Sequence, residues 1–358
     1  MVHIFSAEDL RPSWKTWFRH LALLLVTFVT TTVAGVMEPF GRIRIFPELD
    51  TMPDVGFVEL ISTLPLMYAN LIGSTLGALV SNPSLLIDGL SFSVPLLFIL
   101  ISHEMGHYVM CRRYGVVSTL PFFLPVPPLI GPAGTFGAFI KIKSPLPSRK
   151  AVFDIGVAGP IAGFIAIIPV SVIGLLMMET APANIGNMTG DGLYFSDPLL
   201  THVIGALMGV NPSDGFMNPF LAAAWLGLLV TSLNLIPSGQ LDGGHAVYSV
   251  FGSFIHRWTG KIAFFVMIMF SVIGWILYSV PGAILFTVLL GFMMRMRHPV
   301  PIDDSPLDGK RLFFAAVTLL VFILSFTPFP IKSDLSNRDG RRNLVIVFCS
   351  FSNFFVLI

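Results

Sequence analysis

The sequence predicts an all-α polytopic membrane protein, a helical bundle that also carries one short membrane-associated β-hairpin. Three observations predict it. Of 358 residues, 54% are hydrophobic and only 11% charged, whereas a soluble domain averages about 25% charged residues. Mean hydropathy is +0.82, and the apolar residues gather into runs long enough to enter a bilayer. Lys and Arg are clustered between those runs, as the positive-inside rule requires of a multi-pass chain. A formal net charge of +1 excludes nucleic-acid binding by bulk electrostatics. The first residues mix Glu8 and Asp9 with Arg11, Lys15 and Arg19 ahead of an apolar run, so neither a cleavable signal nor a transit peptide is expected.

Spans are expected over Leu21–Met37, Leu90–Met110, Ala151–Met178, Pro219–Ile236, Ile262–Val280 and Leu312–Pro328. Two further apolar segments, Ile61–Val80 and Ala283–Met294, are ambiguous. Orientation follows from the bases. Ile45–Cys111 and Ala151–His256 contain no Lys or Arg. The bases cluster at Arg112/Arg113, Lys141/Lys143, Arg149/Lys150, Arg257/Lys261, Arg295/Arg297 and Lys310/Arg311, which are expected on the cytoplasmic side. Leu90–Met110 therefore runs from outside to inside. With Arg11, Lys15 and Arg19 also inside, parity makes Ile61–Val80 a non-spanning or interfacial helix. Its Gly73-x-x-x-Gly77 pair suits close packing against another helix, and Gly159-x-x-x-Gly163 with Ala158 and Ala162 suits the same.

The organisation expected is an N-terminal span with an external or interfacial segment (1–89), a membrane core (90–250), C-terminal spans (251–330) and a tail (331–358). The longest polar loop, Glu179–Asn218, is too short to be a soluble domain. Of the two cysteines, Cys111 falls on the reducing side, so no disulfide with Cys349 is expected. The tail is anomalous. Its bases Lys332, Arg338, Arg341 and Arg342 fall outside, against the rule, and its closing apolar run of 16 residues is marginal for a span.

The chemistry is concentrated at His103-Glu104-Met105-Gly106-His107, at the end of an apolar run. Helix pitch puts His103 and His107 on one face, so both imidazoles can reach one metal ion, with Glu104 beside them as a general base toward water. A charge at the bilayer centre costs about 2.5–3.5 kcal/mol on insertion scales, so three such groups in a span argue for a metal site over accident. A catalytic zinc usually takes three protein ligands. Pro219–Ile236 is a second outside-to-inside span, and it ends in Asn234-Leu235-Ile236-Pro237-Ser238-Gly239-Gln240-Leu241-Asp242-Gly243-Gly244. Pro237 and the glycines break the helix there, and irregular backbone at that depth has to be buried in protein or line a wet cavity. Asp242 reaches the depth of His103, which favours a third ligand over a simple helix N-cap. His245 competes less well as a ligand. Asn234 suits either a bond across helices or a developing oxyanion.

These two motifs, His-Glu-x-x-His at 103–107 and Asn-x-x-Pro-x-x-x-Leu-Asp-Gly at 234–243, resemble those of the site-2 protease family of membrane-embedded zinc metalloproteases. The resemblance extends through Leu120–Gly163, with Pro121-Phe122-Phe123-Leu124-Pro125, Gly134-Thr135-Phe136-Gly137-Ala138 and Phe153-Asp154-Ile155-Gly156-Val157-Ala158-Gly159-Pro160. It covers roughly residues 90–250 and fits the subgroup without a PDZ domain. It implies one zinc per chain held by His103, His107 and Asp242, with Glu104 activating water near the cytoplasmic face. It also implies transmembrane protein substrates cut within the lipid bilayer, often after an upstream protease has trimmed them.

The segment after the first motif suits that activity. Pro121, Pro125, Pro127, Pro128, Gly131 and Pro132 forbid an ordinary span, and Gly134–Ser144 ends in alternating apolar and basic residues, the pattern of a strand in a hairpin. A free strand edge can pair with an unwound substrate, which makes Gly134, Thr135, Phe136 and Gly137 candidate substrate-binding residues. Two other readings compete. A CaaX-prenyl type of membrane protease wants a glutamate as third ligand on a later helix, and no glutamate follows Glu179. A non-proteolytic metal-binding transporter or scaffold needs the ligands but has no use for Glu104. Lys310 and Arg311 are expected to be topology anchors, and the Met and Phe residues from Phe264 to Met296 to be lipid-facing or core filler.

Overall fold

A computed structural model describes residues 12–37, 40, 57–127, 133–179, 193–278, 280, 282–295, 299 and 301–333. The expected fold class holds: apolar helices dominate, with two small antiparallel sheets. Helix α1 (Trp14–Val36) begins where the Ser13 hydroxyl accepts the Thr16 N–H, and α2 (Phe57–Ser81) follows. Helix α3 (Ser84–Arg113) carries the first motif and ends in Arg112 and Arg113, where the helix dipole favours cations. The hairpin comes next. Strand β1 (Phe122–Pro125) pairs antiparallel with β2 (Thr135–Phe139), Phe122 opposite Phe139 and Phe123 opposite Ala138. Lys143 and Thr119 N–H groups, bonded to the Val117 and Lys141 carbonyls, extend the pairing outward.

Helix α4 (Arg149–Leu176) is capped by Ser148. Helix α5 (Leu199–Met208) stops at Gly209, whose φ of +70° suits a left-handed C-terminal residue. Helix α6 (Pro219–Asn234) has Asn218 as its cap and Pro219 in the first turn, where no backbone N–H is needed. Helix α7 (Asp242–Tyr278) is broken at Gly252, with φ +83°. Helices α8 (Ile284–Met293) and α9 (Gly309–Ser325, capped by Asp308) follow, and β4 (Ile331–Ser333) pairs with β3 (Leu193–Phe195).

Among the described residues, four helices, α1, α3, α4 and α7, are long and apolar enough to cross a membrane. Several expectations need correction. The span expected at Pro219–Ile236 is a helix of 16 residues, about 24 Å long at 1.5 Å per residue, because the Pro/Gly turn takes over after Asn234. The helix expected to begin at Ile262 resumes just after the break at Gly252, and a separate helical stretch precedes it from Asp242. The Glu179–Asn218 loop contains β3 and α5. Gly73 and Gly77 of α2 do not pack on a helix: a Cβ built on either meets nothing within 4 Å among the described residues. Arg338 and the closing run Asn343–Ile358 lie outside the described residues.

Helix α3 lies between α1, α4 and α6. Phe92, Leu96, Leu100, Ala223 and Trp225 form one part of the core, and Ile99, Ile167 and Leu228 another. Small residues bring the backbones together, since a Cβ on Gly89 would stand 2.6 Å from the Thr32 carbonyl oxygen. Lys332, anomalous in the sequence, sits in β4 with its ammonium 5.3 Å from the centre of the Tyr278 ring. Its charge also acts on Asp197, whose carboxyl is pushed up by burial and pulled back by His202 and Lys332. Acidic and aromatic neighbours thus account for one of the misplaced bases.

Candidate metal centre

The first motif is buried. His103, Glu104 and His107 are 4%, 6% and 7% exposed. They lie where α3 meets α4 most closely, because neither helix has bulk at the crossing: a Cβ on Gly106 would overlap the Ala158 carbonyl. The α4 glycines then make room for imidazoles. A Cβ on Gly159 would overlap the His107 ring, one on Gly163 would stand 3.2 Å from His103 Nδ1, and one on Gly156 2.8 Å from the Cβ of His245. Gly159-x-x-x-Gly163 is thus a packing face, and what it receives is the motif's two histidines.

His107 is oriented from behind. Its Nδ1–H donates to the Ile155 carbonyl at 2.7 Å, which leaves the Nε2 lone pair free to point away from α4. The second motif arrives from the other side. Gly239 turns the chain at φ +55°, and a Cβ on Gly243 would overlap the Leu235 carbonyl, so only glycine permits the fold-back that sets Asp242 at the first position of α7. His256 Nε2 lies 3.1 Å from the Gly239 carbonyl and steadies the turn.

Three donor atoms converge. Asp242 Oδ2 lies 3.4 Å from Nε2 of both His103 and His107, and the two Nε2 atoms are 3.1 Å apart. Ligands at about 2.0–2.1 Å in tetrahedral array around zinc stand roughly 3.3 Å from one another. The separations and the donor set, two imidazoles and a carboxylate, therefore fit a zinc ion. Asn234, the last residue of α6, places Nδ2 at 3.3 Å from His103 Nε2. Glu104 sits one residue along α3, with the Ile140 backbone N–H on the side of its carboxylate.

Three of the four hairpin residues are committed to the scaffold. The Gly134 carbonyl accepts from Thr30 Oγ1 at 2.7 Å, Thr135 Oγ1 donates to the Leu124 carbonyl at 2.9 Å, and the Gly137 N–H donates to Thr135 Oγ1 at 3.0 Å. Phe136 is 54% exposed. Ile140, just beyond β2, and Ile155 bear on the site through backbone groups, which leave no trace in residue type.

Fold and site define a class: a helical membrane protein with a buried His-Glu-x-x-His cluster completed by an aspartate from a broken second helix. Residues 91–274, just over half of the chain, match the family model "Peptidase family M50", and the chain belongs to that family, the site-2 proteases its motifs resemble. Among curated relatives, it is 27% identical to the probable zinc metalloprotease EGY2, chloroplastic, of Arabidopsis thaliana, over 79% of this chain and 50% of that protein. It is 30% identical to the probable zinc metalloprotease EGY1, chloroplastic, of Oryza sativa subsp. japonica, over 68% of this chain and 41% of that protein. The chain thus spans about half the length of these relatives or less. No solved structure matches.

Proposed function

We propose that the chain is an intramembrane zinc endopeptidase, which hydrolyses peptide bonds in transmembrane segments of membrane-protein substrates. One observation carries the proposal: the donor atoms of His103, His107 and Asp242 converge at zinc-ligand spacing with the buried Glu104 beside them. The two histidines and the aspartate would hold one zinc. When bound, the ion supplies a Lewis acid that polarises the scissile carbonyl and lowers the pKa of water to about 7.

The protein's own groups do the rest. The Glu104 carboxylate takes a proton from the attacking water and returns it to the leaving amine nitrogen. The Ile140 N–H, on the side of that carboxylate, favours its charged, proton-accepting form. Asn234 Nδ2 donates to the oxygen of the tetrahedral intermediate, a contribution of about 2.7–4 kcal/mol at comparable sites. The outer edge of β2, around the exposed Phe136, takes an unwound substrate as an added strand, with Gly134 and Thr135 fixing the hairpin to α1 and β1 and the Gly137 N–H held by Thr135 Oγ1. Unwinding comes first, because helical peptide bonds are shielded by their own hydrogen bonds. We place the site on the side of the basic clusters Arg112/Arg113 and Lys141/Lys143, the cytoplasmic side by the positive-inside rule. The role that fits is regulated intramembrane proteolysis, following an upstream protease.

The test is cleavage of a single-span model substrate by purified protein in detergent, with zinc content measured on wild type and Glu104→Gln. Cleavage by wild type and a loss of about 10²–10⁴-fold in Glu104→Gln, with zinc in both, is the expected result. Equal cleavage by both proteins contradicts it.

A further inference from the structure

Arg311 is not the surface anchor that its position beside Lys310 predicts. It is half-buried, and its guanidinium joins three helices. Nε donates to Asp154 Oδ1 at 3.0 Å and Nη2 to Asp154 Oδ2 at 2.7 Å, a two-pronged contact. Nη2 also donates to the Tyr114 hydroxyl at 2.9 Å. Nη1 pairs with Asp308, the cap of α9, and the Tyr114 hydroxyl donates to Asp154.

The two residues gripped in this way flank the bond that orients His107. Tyr114 caps α3 about two turns beyond His107. Asp154 on α4 immediately precedes Ile155, whose carbonyl accepts the His107 Nδ1–H at 2.7 Å. One planar, permanently charged fork therefore fixes donor and acceptor helices against each other. Arg311 lies outside the residues 91–274 that match the family model, and α9 brings no ligand to the cluster.

We propose that Arg311 is a positioning residue of the metal centre, which acts through Asp154 and the Ile155 carbonyl to set the direction of the His107 Nε2 lone pair. The proposal rests on the zinc-site reading above. Removing partners behind a ligand histidine weakens metal binding by about 10–100-fold. Arg311 acts one residue further out, so the effect belongs near the lower end of that range.

The test uses the full-length apo-protein titrated with Co²⁺, which reports affinity and, through its visible bands, ligand geometry. Arg311→Met and Asp154→Asn should each weaken Co²⁺ binding about 10-fold and shift the bands. The double variant should be no worse than the weaker single one, because both act through one contact. Arg311→Lys, which keeps the charge without the fork, should recover part of the affinity, and Lys310→Met should bind as wild type does. Wild-type affinity and bands in Arg311→Met, alongside a lowered melting temperature, would reduce Arg311 to a helix anchor. An equal effect from Lys310→Met would do the same. Failure of the wild type to bind Co²⁺ would instead remove the metal-centre reading itself.

Discussion

Gly159-x-x-x-Gly163 in α4 and Gly73-x-x-x-Gly77 in α2 are the same motif, and the molecule uses them in opposite ways. In α4 the His107 ring occupies the place of the missing Cβ at Gly159, and His103 stands in tight contact with the one at Gly163. In α2 the same spacing faces open space among the described residues. A pair of small residues on a membrane helix permits close approach but does not specify it. What specifies it in α4 is the bulk that α3 presents at the matching height, and that bulk is the two histidines of the His-Glu-x-x-His motif. The glycines of α4 are thus part of the site, although none of them carries a functional group.

Substitutions can break this contrast. Gly159→Val should have the largest effect, because its side chain must fill the space of the His107 imidazole. Zinc affinity of the purified protein should fall by at least about 10–100-fold, the range seen when a ligand histidine loses its orientation. Unaltered zinc content in Gly159→Val would show that α4 does not seat the ligand. Gly106→Ala is next. Its methyl overlaps the Ala158 carbonyl, and overpacking of this kind is worth about 1–3 kcal/mol of lost stability, readable as a lower unfolding midpoint in detergent. Gly73→Ala should do the reverse, since Ala exceeds Gly in helix propensity by about 0.8–1.0 kcal/mol and nothing obstructs it. A marked destabilisation there would mean that α2 packs on a neighbour after all.

The smallest effect concerns Asp197, whose carboxyl is pushed up from 3.8 by burial. A raised carboxyl contributes its full stability below the unfolded value and loses it as pH rises through the folded one. Asp197→Asn should therefore melt higher than wild type at pH 7, with the gap closing as pH falls toward 3.8. A gap that widens in acid would reverse the sign of the argument.

Much of the site was legible in the sequence because it rests on side chains at helical spacing. His103, Glu104 and His107 share a turn, and Pro237 with Gly239 announces the break that brings in Asp242. The hairpin was legible for a similar reason, since alternation and proline density leave few alternatives. What escaped notice depends on backbone groups or on distance along the chain. The Ile155 carbonyl and the Ile140 N–H exist at every residue, so only the fold reveals which are used. Arg311 looked like an anchor because a base before a span usually is one. Helix α5 was hidden in a loop because its 10 residues fall short of any membrane signal. The ends of α6 and α7 moved because glycine and proline mark a break without saying where each helix resumes.

The central claim is that His103, His107 and Asp242 hold one metal ion. X-ray absorption at the zinc edge, on wild type and Asp242→Ala, tests it most directly. One zinc per chain is expected, with two imidazole nitrogens and a carboxylate oxygen at about 2.0–2.2 Å, and Asp242→Ala should lose that oxygen or the metal. A sulfur ligand, or a first shell unchanged by the substitution, would contradict it.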